Sequence, residues 1–328
     1  MATDTVRLLP LAIAYSLVAA TLAAQDLHRG LIEADLVAVG RQVGKEEASP
    51  ELTVHRVQIV SAIRGVPAGA TAVSVLDWPK LSMHNRPQPR QSRLYCLQDA
   101  KAAAERAGLP ADKGPYFRMV GFDGTHPLIG GDLDADPIVQ FARLLAAADT
   151  GADATATTAA LVDTALNGTP LLRTEAARLL AERPDLRSRI AAVQWSRVLS
   201  RVSGEAEDVG YKIALAELCA EQRLPGLAEA LVLGASAVQD LDYLRTSGRL
   251  TAMLKGEQVT PMILEQIQIA RDPRHRQALL LVLGATQTQS ALDALLDLRK
   301  SMGADKAVEA ALAEHKSRAA REATMPKK

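Results

Sequence analysis

The spacing of apolar residues changes near Asp136, and that change constrains the fold more than any other feature of the chain. Before it, short runs alternate apolar and polar residues with a period near two, the pattern of strands with one face on a core. After it, apolar residues recur with a period near 3.6, as amphipathic helices require. A chain written this way places strands first and helices second, and builds two kinds of core. Its 328 residues suit two domains, or one domain plus a repeat array.

Five strand-like runs fill the first part: residues 34–43, 52–65, 71–78, 93–98 and 116–121. A polar turn over 44–51 separates the first two, and Val66–Gly69 separates the second from the third. A short helix over Gln25–Glu33 precedes them, and a surface helix over 99–108 is inserted, with Asp99 as N-cap and Gly108 as stop. Short strands of this number fit a small closed or nearly closed barrel.

Helix starts in the second part share one form, a small polar cap followed by proline: Asp136-Pro137, Thr169-Pro170, Thr260-Pro261 and Asp272-Pro273. The cap oxygen satisfies an orphan N–H, and proline at the first helical position needs no partner for one. Stops are read at Arg183-Pro184, Leu224-Pro225-Gly226 and Gly284. Three segments look like copies of one helix: RTEAARLLAE from Arg173, YKIALAELCAE from Tyr211 and RQALLLVLGA from Arg276. Ala176, Ala214 and Ala278 align, each four residues before Leu180, Leu218 or Val282, at offsets of 38 and 64. The second offset is two repeats of about 32 residues with a degenerate copy between. The Ala/Thr-rich stretch 146–160 is a loop or a poorly packed helix.

Those residues carry two resemblances. Ala34-Asp35-Leu36-Val37-Ala38-Val39-Gly40-Arg41, followed by Val54, Val57, Val60 and Ile63-Arg64-Gly65, resembles the opening of the OB-like, netrin/TIMP-like domains of secreted proteins. That resemblance implies a β-barrel that binds protein or polymer partners. The metalloprotease-inhibiting members use a Cys at the mature N-terminus, which this chain does not place near Ala24 or Gln25, so that activity is not carried over. The helical copies resemble HEAT repeats, in which an Arg-x-x-Ala-x-x-x-Leu helix packs behind its partner. The expected fold class is therefore α+β multidomain: a five-stranded OB-like barrel over 25–135, a linker with a short helix over 136–157, an all-α HEAT-like array over 158–315, and a frayed basic tail over 316–328.

Leu8–Ala24 carries no charge, follows Arg7 and ends in small residues before Gln25-Asp26. It reads as a cleaved secretory signal over residues 1–24, with an uncleaved membrane anchor as the alternative. Lys plus Arg and Asp plus Glu both number 38, so the net charge is zero and no basic excess exists to displace counterions from a nucleic acid. Cys96 and Cys219 fall in different halves and outside any C-x-x-C pair, and read as small core residues rather than a disulfide.

No nucleophile-elbow, zinc-helix or phosphate-loop motif occurs. His84 sits in the Pro- and Arg-rich run SMHNRPQPRQ, and Asp123 and His126 lie in FDGTHPLIGGD with Asp132 beyond. His126, Asp123 and Asp132 contain the donor types for a divalent ion. The simpler reading of FDGT is a tight turn, for which Asp and Gly are the usual residues. Trp78 and Trp195 are isolated and read as core anchors or surface plugs. The expected function is an exported, non-catalytic binding or scaffold protein whose partner is another protein in that compartment. No catalytic, cofactor-binding or metal-binding residue is assigned, nucleic acid is not a partner, and membrane contact is confined to an uncleaved N-terminal segment. The alternative is an enzyme or metalloprotein with a site at His84, Asp123 and His126.

Overall fold

The computed structural model describes residues 27–79, 87, 89–120, 125–128, 132–151, 153–204, 208–235, 238–303 and 305–324. The expected signal segment, His84 and Asp123 lie outside the described residues. The chain divides into two compact units between Leu179 and Leu180.

The first unit opens with α1 (Leu27–Glu33) and continues through β1 (Leu36–Ser49), β2 (Leu52–Arg64), β3 (Ala72–Asp77), β4 (Ser92–Asp99), α2 (Lys101–Arg106), β5 (Tyr116–Met119) and β6 (Thr125–Pro127). The sheet runs β1-β2-β3-β5-β4-β6, and an added β1–β4 pairing closes five of the strands into a ring. All neighbours are antiparallel except β3 and β5. All five expected strands are present. The sixth, β6, pairs with β4 outside the ring. The expected polar turn over 44–51 is mostly strand instead, with pairing that runs out to Ser49 and Leu52. Pairing uses backbone groups, so a hairpin tip rich in Lys and Glu holds its ladder without burying side chains.

Inside the ring, Leu36, Ala38, Val57, Val73, Val75, Tyr95, Leu97, Phe117 and Met119 form one core. A second cluster, Leu52, Leu76, Ala100, Ala104 and Tyr116, seats α2 on the outer face with Trp78 against it. The N-cap of α2 is Ala100 and not the expected Asp99, which ends β4 and whose Oδ1 accepts from the Lys101 N–H at 3.0 Å. Helices α3 (Pro137–Asp149) and α4 (Ala154–Asn167) follow, with α5 (Pro170–Glu182) carrying the chain across the division. Arg64, at the end of β2, donates to the carbonyls of Leu31 and Ala34 and pairs with Asp149, so α1, β2 and α3 meet on one guanidinium. Of the stretch 146–160, expected as a loop or a poorly packed helix, 146–149 end α3 and 154–160 begin α4, both in the first unit.

The second unit is a helical array. After the short α6 (Pro184–Arg187) come four hairpins: α7 (Ala192–Val202) with α8 (Val209–Glu221), α9 (Leu227–Gly234) with α10 (Leu241–Lys255), α11 (Val259–Ile269) with α12 (Pro273–Thr286), and α13 (Gln289–Met302) with α14 (Lys306–Thr324). The second helices pack in sequence, α8 on α10, α10 on α12 and α12 on α14. The expected ridge is internal, with Ala214, Leu218, Ala278 and Val282 all buried. Gly284, expected as a stop, lies inside α12, and Thr260, expected as a cap, lies inside α11. Its hydroxyl instead meets that of Ser290 at 2.7 Å.

Candidate functional site

Two features concentrate polar chemistry, one in each unit. The first is the inner face of the ring. Strand alternation places Thr53, His55 and Val57 on one face of β2, and cross-strand pairing sets Thr53 opposite Asp77, His55 opposite Val75 and Val57 opposite Val73. The same face carries Gln42, paired with Val57, and Tyr95, paired with Ala38. Gln42, Thr53, His55, Asp77, Arg93, Tyr95 and Thr125 are all buried. Buried polar side chains thus stand beside the apolar core of the ring, with His55 opposite Val75 and Gln42 opposite Val57.

His55 Nε2 and Asp77 Oδ2 lie 3.2 Å apart, a contact that fixes the ring and, in the neutral imidazole, selects the Nε2–H tautomer. His55 Nδ1 and the Tyr95 hydroxyl have no hydrogen-bond partner among the described residues. Arg93 donates from Nε to Thr125 Oγ1 at 3.1 Å. Burial lowers the Arg93 pKa, and burial raises that of Tyr95 to about 12 despite the opposing charge of Arg93. A carboxylate-held imidazole is the geometry of a positioned base. Among the described residues no hydroxyl or thiol is in hydrogen-bonding contact with His55 Nδ1.

Of the candidates named from sequence, His126 and Asp132 are among the described residues. His126 lies on β6, buried, where its Nε2 would stand 3.7 Å from a Cβ added to Gly30, beside Cys96. Asp132 is exposed and its Oδ1 accepts from the N–H of Asp134 at 3.0 Å. Among the described residues no group of three or more His, Cys, Asp or Glu side chains is placed to hold a metal ion. Cys96 and Cys219 are free, buried thiols, and burial raises each pKa to about 12, the reverse of what a nucleophilic thiol needs. Trp195 is buried and Trp78 half-buried.

The second feature is the edge of the array where the second helices begin. Asp208, Asp240, Asp272 and Asp305 each accept from the first free N–H groups of α8, α10, α12 and α14. Their spacings are 32, 32 and 33 residues, so one cap recurs in every hairpin. Of the four, only Asp272 is followed by proline, so it alone carries the cap-plus-proline signature in the sequence. The recurrence of Asp at a fixed interval was the available signal. Along this edge lies a groove of about 590 Å³ lined by Arg271, Arg276, Gln277, Leu280, Asp305 and Lys306. A smaller one of about 120 Å³, lined by Gln239, Leu244, Arg274 and Leu281 among others, shares Gln277 with it. No described helix is long and apolar enough to cross a membrane.

No family model, curated protein or solved structure matches this chain.

Proposed function

We propose that this is an exported recognition protein, without catalysis of its own, that holds a partner protein on its helical array and uses the ring as a second contact. The observation that carries this reading is the recurrence of the Asp cap at 208, 240, 272 and 305 with an equivalent buried helix after each. A stack in which each hairpin contacts its neighbours adds surface with every copy, and keeps side chains of successive copies in register for an extended ligand. The hairpins fit the HEAT-like resemblance. The ring order β1-β2-β3-β5-β4-β1, with its single parallel pairing, fits the OB-like one, and such rings serve mainly as binding platforms. Export rests on the uncharged run Leu8–Ala24.

Apolar side chains left exposed on the array include Val193, Leu233, Met253 and Ile269, each more than half exposed. A photo-crosslinking residue placed at each of these four positions, and at Val43 and Val60 on the strands, tests the reading in the producing cell. The expected result is one discrete adduct recurring at several array positions. Absence of an adduct from every array position overturns it.

A further inference from the structure

The groove at the start of α12 and α14 differs from its counterpart in the first unit in how its charges are used. In that other groove, about 410 Å³ between the β1–β2 hairpin and Lys113, the cations Lys45, Arg56 and Lys113 all hold polar partners. Lys113 Nζ holds both oxygens of Glu46 at 3.0 and 2.9 Å, and Arg56 donates to Ser74 Oγ and the Lys113 carbonyl. In the array groove Arg271, Arg276 and Lys306 form no ion pair with any described residue. Arg276 Nη2 rests on the sulfur of Met302 at 3.1 Å, and its Nε is buried without a hydrogen-bond partner among the described residues. The one carboxylate in the lining, Asp305, is committed to the backbone N–H groups of Ala307 and Val308. Three cations and one engaged anion leave a net excess of two positive charges around a volume that would hold several side chains.

The floor is apolar, with Ala270, Pro273, Leu280 and Ala307 between the charges. Gln277 lines both this groove and its smaller neighbour, where Arg274 adds a further cation. The positive track therefore continues from α14 past α12 toward α10. A compact anion would fill one end of it, whereas an extended chain with regularly spaced carboxylates would follow it. We propose that this track binds an acidic peptide segment of a partner protein, with Arg271, Arg276 and Lys306 pairing its carboxylates and Gln277 bonding its backbone. The proposal rests on the recognition reading above and supplies the chemistry of the partner.

The test uses the full-length protein and a fluorescein-labelled octa-glutamate peptide, read by anisotropy. Binding is expected at about 50 mM salt and is expected to weaken about tenfold by about 300 mM, since exposed charges are screened over that range. Two variants separate the groove from diffuse attraction. Arg271→Glu with Lys306→Glu is expected to weaken binding about tenfold or more through charge, and Gln277→Trp to do so by occupying the groove with its charges unchanged. All three positions are exposed, so helicity and thermal midpoint should stay at the parent values. Binding that survives either variant overturns the proposal, as does complete displacement by inorganic phosphate at equal charge concentration, which would make the site one for small anions. If octa-glutamate fails to bind while crosslinked adducts still form on the array, the groove assignment is wrong and the recognition reading stands. If both fail, both are wrong.

Discussion

Glu175 Oε2 accepts twice from a single residue, the backbone N–H and the imidazole Nδ1 of His28, each at 2.8 Å. Both side chains are buried, and Arg178 reaches the other carboxylate oxygen at 3.4 Å. The carboxylate on α5 thus satisfies an orphan donor at the start of α1 and fixes its entry to the sheet. Glu175→Ala removes the acceptor of two His28 donors in a buried site and is expected to cost about 2–3 kcal/mol, the scale of losing buried hydrogen bonds. Glu175→Gln keeps an acceptor oxygen and is expected to cost less than half of that. Urea denaturation of the three proteins checks the order, and an Ala variant within experimental error of the parent would show that α1 is not held there.

Buried weak acids make the fold sensitive to alkali. Burial raises Cys96 and Cys219 from 9.0, and Tyr95 and Tyr243 from 10.0, to about 12 in each case. Each folded-state pKa lies above its unfolded value, so the unfolded chain loses these protons first. The stability held by the neutral forms is whole below about pH 9 and is lost as pH rises toward 12. The urea midpoint is expected to fall steeply between those limits, and less steeply in Cys96→Ala and Cys219→Ala proteins. In the folded state neither thiol should react with a thiol reagent at neutral pH, and unfolding without reductant should release two.

The repeated caps are expected to act alike. Replacing Asp208, Asp240 or Asp272 by Ala removes an acceptor for N–H groups at the start of α8, α10 or α12, at about 1 kcal/mol each. The three sites share no partner, so their effects should add within a few tenths of a kcal/mol. A double variant that costs much more than the sum would mean that the hairpins unfold as one body rather than as neighbours.

What the sequence disclosed follows the range of the interactions involved. Strand and helix runs are set by side chains two to four residues apart, and all five expected strands formed. The Asp136 cap was legible because its acceptor serves the N–H groups of Ile138 and Val139, two and three residues away. His55 with Asp77 and His28 with Glu175 were not, because only the pairing register in one case and helix packing in the other bring them together. Thr260 and Gly284 were misread for a related reason. Proline and glycine often punctuate helices, but here Pro261 sits in the first turn of α11 and Gly284 is a packing residue. In the sequence His126 stands only as one of the donor types for a divalent ion. Its burial beside Gly30 and Cys96 now makes His126→Ala a cavity-forming change.

Glycine to alanine is expected to change stability in opposite directions at two of these positions, because the space around the added methyl differs. At Gly284 a Cβ would stand 2.3 Å from the Ala311 carbonyl oxygen and 3.1 Å from its Cα, so α12 and α14 touch backbone to backbone. Backbone cannot yield as a side chain does, and Gly284→Ala should cost about 1–3 kcal/mol despite alanine's better helix propensity. At Gly30, inside α1, the same atom would meet Cys96 Cβ at 3.4 Å, Cys96 Sγ at 3.5 Å and His126 Nε2 at 3.7 Å, all ordinary contacts. Gly30→Ala should therefore keep the helical advantage of about 0.5–1 kcal/mol and raise the unfolding midpoint. Combining Gly30→Ala with His126→Ala is expected to offset only part of the loss, since one methyl does not refill the volume of an imidazole. Chemical denaturation of the parent, the three single variants and the double variant decides the matter, and a neutral Gly284→Ala would mean that α12 and α14 stand farther apart than their backbones indicate.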